Sequence, residues 1–185
     1  MKKGFTIVEL VISMALFSII LVATSSIFVT ALKNYQINIT KSDFQKEVNF
    51  SLDDINKNIK LAIEVPLTYG SYSLSQNILI LALPTTDSSA NFIYEDGAPL
   101  KDYVIYYSEN GNLHKVTHAD PSGIRANQNG EDKIILGNLT NVNYSYFPGL
   151  TGASQVEATI EVGKIVQKTN IKIEGKRLAN LRNKQ

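Results

Sequence analysis

From Leu10 to Leu32 the chain runs 23 residues without a charge. As a helix rising 1.5 Å per residue, that run is about 35 Å long, enough to cross a hydrocarbon core of about 30 Å in one pass. Past Lys33 the apolar positions thin out but keep a helical rhythm. Phe44, Val48, Leu52, Ile55, Ile59 and Ala62 or Ile63 recur at spacings of four and three, which marks one face. Lys41, Asp43, Lys46, Glu47, Asp53, Asp54, Lys57 and Lys60 fill the other positions, so the stripe is narrow and needs a sheet to cover it. Pro66 stops the pattern, and Glu64-Val65 before it is biased toward extended backbone. The expectation is one helix from about Thr6 to Ile63, its first half apolar and its second half amphipathic. No proline occurs between Phe5 and Val65, so no proline kink is encoded and the helix should be the straighter for it.

After Pro66 the rhythm changes to that of strands. Asn77 to Leu83 closes at Pro84, and Tyr103 to Tyr107 follows. Asn110-Gly111 stands between Val104-Ile105-Tyr106-Tyr107 and Leu113-His114-Lys115-Val116, and both residues tolerate positive φ, so a hairpin is predicted there. Lys133 to Leu136 and Val142 to Phe147 give further extended segments. Val156 to Val162 and Thr169 to Ile173 form a last alternating pair, with the turn expected around Gly163-Lys164. The loops Thr85 to Leu100 and Ala119 to Asp132 are rich in Asp, Ser, Asn, Gly and Pro. The fold class is therefore α+β: a long N-terminal helix packed on an antiparallel β-rich head.

The one acid inside the apolar N-terminal stretch is Glu9, preceded by Met1-Lys2-Lys3-Gly4-Phe5-Thr6-Ile7-Val8. An ordinary secretory signal places its small-residue cleavage site after the apolar run; here the small residue, Gly4, lies between the basic start and that run. Gly4-Phe5-Thr6-Ile7-Val8-Glu9-Leu10 resembles the N-terminal signature of type IV pilins and of the pseudopilins of type II secretion. The resemblance implies that prepilin peptidase cuts between Gly4 and Phe5, that Lys2 and Lys3 belong to a short cytoplasmic leader, and that Phe5 becomes N-methylated. It also gives Glu9 a partner, the amine of a neighbouring subunit's first residue. A carboxylate in hydrocarbon costs about 2.5 to 3.5 kcal/mol even on permissive insertion scales, so an embedded acid calls for such a partner. Pairing across two subunits would neutralise both charges and set the register of one helix against the next. The plainer alternative is a signal anchor whose Glu9 snorkels to the headgroups.

Four segments follow: a cleaved leader over 1–4, a transmembrane and assembly helix over 5–32, an exported amphipathic helix over 33–65, and the β-rich head over 66–185, a lollipop shape. Lys2 and Lys3 put the N-terminus in the cytoplasm by the positive-inside rule, with the head periplasmic or extracellular. Ser13, Ser18, Thr24, Ser25, Ser26 and Thr30 make the apolar helix more polar than a lipid-facing anchor requires; they either favour close helix approach or bond back to their own helix. Lys and Arg total 18 against 17 Asp and Glu, a net charge of +1, and nothing in that balance suggests a nucleic-acid-binding surface. Cysteine is absent, so packing rather than disulfides must hold the head together.

Enzymatic chemistry finds little support. There is no cysteine and no serine-elbow motif, and His114 and His118 are the only candidate general bases of the histidine type, too far apart on a strand for shared metal ligation. Asn127 to Asp132 gathers oxygen ligands beside Gly130 but lacks the acid that opens an EF-hand loop, so a polar turn is the expected reading and calcium the alternative. Tyr103, Tyr106, Tyr107, Tyr144 and Tyr146 suit core packing more than a binding platform. No metal and no cofactor is expected.

The Tyr-Tyr strand with its hairpin, the aromatic Asn143 to Phe147 and the closing Leu181-Arg182-Asn183 resemble minor pseudopilins of the J type. The reading is a minor pilin or pseudopilin subunit at or near the tip of a type II secretion pseudopilus or type IV pilus. Its partners are prepilin peptidase, other pilin or pseudopilin subunits, the inner-membrane assembly platform, and membrane lipid before assembly. The alternatives are a type IV pilus or competence minor pilin, and a solitary membrane-anchored binding or enzymatic domain with an uncut leader.

Overall fold

In a computed structural model, which describes residues 6–182, a single uninterrupted helix α1 (Ile7–Leu61) leads into an antiparallel β head. The strands are β1 (Thr68–Tyr69), β2 (Tyr72–Ser73), β3 (Ile78–Pro84), β4 (Tyr94–Glu95), β5 (Ala98–Pro99), β6 (Lys101–Glu109), β7 (Asn112–His118), β8 (Glu131–Leu136), β9 (Leu139–Phe147), β10 (Gln155–Val166) and β11 (Thr169–Asn180). One sheet has the order β3-β6-β7-β8 and the other β11-β10-β9, with β1-β2 and β4-β5 as small separate hairpins. This is the expected α+β lollipop, with α1 laid across β11, β10, β3 and β8.

The amphipathic stripe is the buried face: Phe44, Val48, Leu52, Ile55, Ile59 and Ala62 are all shielded from solvent. The helix stops sooner than Pro66 demands. Ala62 is already extended and donates its N–H to Asn58 and Ile59. Ile63 N–H then bonds Ala82 O at 2.9 Å, and Ala82 N–H returns to Glu64 O at 3.0 Å. The edge of β3 thus captures the chain, which is why Ile63 does not extend the helical face.

Two polar residues share that face, and both are bonded. Ser51 donates to Glu47 O and Ile135 O, and Asn58 Nδ2 donates to the Tyr106 hydroxyl at 2.6 Å. The Tyr106 hydroxyl donates in turn to Asp54 Oδ2 at 2.7 Å, and Lys115 Nζ donates to both oxygens of Asp54 at 2.9 Å. Burial, with Asp54 beside it, pushes the Tyr106 phenol well above its ordinary value, so it stays a donor at any physiological pH. The node ties helix to sheet at one register. Tyr106→Phe leaves Asn58 Nδ2 with only its bond to Asp54 O and removes the hydroxyl's bond to the Asp54 carboxylate; it is expected to cost about 1 to 3 kcal/mol, read as a lower unfolding midpoint in denaturant with an unchanged slope.

The Asn110-Gly111 hairpin is present, with both residues at positive φ (50° and 73°), joining β6 to β7. The last hairpin turns elsewhere than expected. Gly163 lies inside β10, opposite Lys172, and the turn is made by Gln167 and Lys168 at φ 50° and 64°. A Cβ on Gly163 would meet Thr140 Oγ1 of β9 at 2.8 Å, so this glycine serves a close strand approach and not a reversal.

The loop Ala119 to Asp132 is held by Asp102 of β6, which is fully buried. Its Oδ1 accepts from Thr85 Oγ1 and Asp120 N–H, each at 2.9 Å, and its Oδ2 accepts from Arg125 Nη1 at 2.6 Å. Within this loop Asn129 Oδ1 accepts from Ala119 N–H, Gly130 N–H donates to Thr117 O, and Glu131 opens β8. Asn127 to Asp132 is therefore a turn into a strand, as its composition suggested.

Candidate functional site

The exposed first half of α1 is the feature that the head leaves unexplained. Large apolar side chains from Ile7 to Leu32 are all exposed, Ile7 at 81% and Val22 at 72% among them. Among the described residues it is the helix long and apolar enough to cross a membrane, and its most apolar stretch is uncovered by the rest of the chain. The hydrophobic effect penalises such a surface in water at about 25 cal/mol per Å². Lipid or other protein must cover it, and a single apolar helix of this kind suits a membrane anchor.

Glu9 sits in the first turn of this helix, where Thr6 is the N-cap. Thr6 N–H and Thr6 Oγ1 both donate to Glu9 Oε2 at 2.9 Å, and Glu9 N–H donates to Thr6 Oγ1 at 3.3 Å. This is a capping box, in which the side chains of Thr6 and Glu9 each accept the other's otherwise unpaired backbone N–H. The carboxylate also meets the positive end of the helix dipole. The sequence reading passed over Thr6, although Thr-x-x-Glu before an apolar run is a legible signature of this arrangement. In the single chain, then, Glu9 is already oriented by a near neighbour at the very end of the stem.

Five of the six stem hydroxyls bond back to their own helix. Ser13, Ser18, Thr24, Ser26 and Thr30 each donate to a carbonyl three or four residues earlier in α1. Their protons are spent on their own helix, so the stem presents to its surroundings a surface that is mainly hydrocarbon.

Lys2, Lys3, Gly4 and Phe5, the residues assigned to leader charge, cleavage and methylation, lie outside the described residues. They join Glu9 through another finding. Residues 1–25 match the prokaryotic N-terminal methylation motif. The match supports the pilin and pseudopilin superfamily and implies, in general terms, processing by prepilin peptidase and contact with other pilin-type subunits. It covers the charged start and most of the apolar run and leaves the head unmatched. No curated protein matches the chain.

The candidate residues of the head are engaged with one another. His114 Nδ1 lies 3.0 Å from Asp132 Oδ1, the Tyr107 hydroxyl donates to Asp132 Oδ2 at 2.9 Å, and the Tyr107 and His114 rings stack at 5.0 Å. Burial pushes the Asp132 carboxyl up, but the bonds from His114 and Tyr107 outweigh it and hold the group below its ordinary value. His118, at the end of β7, packs instead against Tyr69, which stacks on Tyr103 at 4.0 Å. The two histidines face separate partners. Tyr106, Tyr144 and Tyr146 are core residues, and the Tyr146 hydroxyl donates to Ser75 O and Ile78 O. Tyr103 and Tyr107 lie half-buried on the other face of β6.

Proposed function

We propose that this protein is a minor pilin or pseudopilin subunit whose work is assembly and not catalysis. It inserts with its N-terminus in the cytoplasm and its head outside, is cut between Gly4 and Phe5, is methylated at Phe5, and enters a type II secretion pseudopilus or type IV pilus at or near the tip. The observation that carries this reading is the apolar stem, uncovered along its whole first half and bearing one acid at its start, in continuity with the methylation motif. A solitary anchor needs a span of that length but has no use for Glu9 at that position or for glycine before phenylalanine.

In this reading each residue of the N-terminus has one task. Lys2 and Lys3 hold the leader on the cytoplasmic side. Gly4 leaves the junction accessible to prepilin peptidase, and Phe5 supplies the new amine. Thr6 orients the Glu9 carboxylate, and Glu9 receives the amine of the neighbouring subunit. The inner-membrane assembly platform and companion subunits are the partners after cleavage, and lipid before it.

Intact-mass spectrometry of the protein from membranes of its native host, with sequencing of its amino terminus, tests this. A chain that begins at Phe5 and is heavier by one methyl group is expected. A chain beginning at Met1 or Lys2 overturns the proposal and leaves a signal anchor carrying a β-rich head.

A further inference from the structure

The turn between β10 and β11 brings the head down to the end of the membrane-length run. Gln167 Nε2 donates to Gln36 Oε1 at 2.9 Å, and Val166 and Ile37 both pack against the core. Gln36 stands four residues past Leu32, about 6 Å along the axis at 1.5 Å per residue. A headgroup layer is about 5 to 7 Å thick on each side of the hydrocarbon core. The turn is therefore held at the outer margin of the headgroups when the uncharged run fills the core.

This end of the molecule carries charge of one sign. No acid occurs between Glu9 and Asp43 in α1, or between Glu161 and Glu174 in the hairpin, whereas Lys33, Lys41, Lys164, Lys168 and Lys172 all lie in those intervals. Lys172 is paired with Glu161 at 2.6 Å. Lys164 and Lys168 are exposed and take part in no ion pair among the described residues. Further from the stem the bases face acids, as Lys101 does Glu64, Lys115 does Asp54 and Lys176 does Glu157. Between the two unpaired lysines Ile165 is 73% exposed. An apolar side chain flanked by lysines suits the boundary between headgroups and hydrocarbon.

We propose that the β10–β11 turn is a second membrane contact, in which Lys164 and Lys168 bind the anionic phosphates of phospholipid headgroups and Ile165 enters the headgroup layer. The position of the turn and the sign of its charge both select a lipid surface as the occupant. A run of about 35 Å exceeds a core of about 30 Å, so the stem accommodates by tilting. The lysines favour the tilt toward the hairpin, which lowers Ile165 toward the lipid. The head is thereby fixed in one orientation and does not rotate about the stem. This inference rests on α1 being the membrane anchor and holds whether or not the chain enters a filament.

The test uses the full chain reconstituted into vesicles that contain a lipid-borne quencher. The chain has no cysteine, so Ile165→Cys, Ser89→Cys and Val22→Cys each carry one nitrobenzoxadiazole label. In vesicles of phosphatidylglycerol and phosphatidylcholine, the labels at positions 22 and 165 are expected to be quenched and the label at position 89, in a loop of the head, is not. In phosphatidylcholine alone, quenching at position 165 is expected to fall to the level of position 89. Lys164→Gln with Lys168→Gln in the Ile165→Cys chain is expected to lower the equilibrium constant for the contact roughly tenfold or more, with an unchanged melting temperature because both side chains are exposed. Quenching at position 165 that is absent in the anionic vesicles, or equal in both kinds of vesicle, overturns the contact and leaves the anchor standing. An unquenched label at position 22 overturns the anchor reading itself, and the contact with it.

Discussion

Glu9→Val is expected to abolish incorporation of the subunit into filaments while leaving membrane insertion, leader cleavage and the fold of the head intact. Removing a carboxylate from hydrocarbon lowers the cost of insertion, by about 2.5 to 3.5 kcal/mol on permissive scales, so the anchor does not weaken. The capping box with Thr6 is lost, which costs the first turn of the helix about 1 kcal/mol. A helix of 55 residues survives that easily, since its head-bound half is held by packing. What disappears is the anion that the proposed filament needs opposite each new amino terminus. Leaving that amine in a low-dielectric bundle without a counter-charge is strongly unfavourable, on the scale of about 3 to 5 kcal/mol for a broken buried pair. The measurement is the ratio of filament to membrane pools by fractionation and immunoblot, together with the mass of the mature chain. Gly4→Val separates the steps, because it should stop the pathway earlier, with uncut protein accumulating in the membrane. Normal incorporation of Glu9→Val would remove Glu9 from the assembly mechanism and favour the snorkelling anchor.

Gly175→Val is expected to detach α1 from the head. Gly175 lies in β11 opposite Ile160, beneath the helix. A Cβ there would come within 2.7 Å of Leu52 Cδ1 and nearer still to Val48 Cγ1. Val48 is β-branched and confined to essentially one rotamer in a helix, so it has no room to yield. Valine adds two further carbons at the same point, and helix and strand must part. Overpacking of this kind costs about 1 to 3 kcal/mol, and a backbone separation places it at or above the upper end. The same seam holds Phe44, Val48 and Leu52 against β10 and β11, so loss of contact at one point opens the others. The expected result is a fall in the melting temperature of the full chain in detergent, with increased proteolysis after Lys46 and Lys57. Gly175→Ala should lie between valine and wild type. A variant as stable as wild type would mean that helix and sheet are not held at the distance described here.

The long helix, its membrane-length half and the buried stripe of its second half were legible in the sequence because each is a local periodicity that one helix imposes on its own residues. The Asn110-Gly111 hairpin was legible for a similar reason, since two adjacent residues at positive φ determine that reversal. The family resemblance was equally open to reading, since Gly4, Phe5 and Glu9 lie within six consecutive residues of the segment that the methylation motif matches. Thr6 was missed although its signature was present.

Tertiary structure alone decided the rest. Nothing near Gly163 says that it packs against Thr140, so it was read as a turn; the reversal at Gln167 and Lys168 depends on how β9, β10 and β11 align. The helix ends at Leu61 and not Ile63 because Ala82, some twenty residues further on, captures the backbone. The sorting of Tyr103 and Tyr107 from Tyr106 follows from which face of β6 meets α1, and the bonding of Asp102 to Arg125 from a loop that returns to the sheet. The chain's own pattern settles what each segment prefers over a few turns or a strand's length; which segments meet depends on contacts between residues far apart in the chain, whose closure entropy is recovered only when the whole core forms.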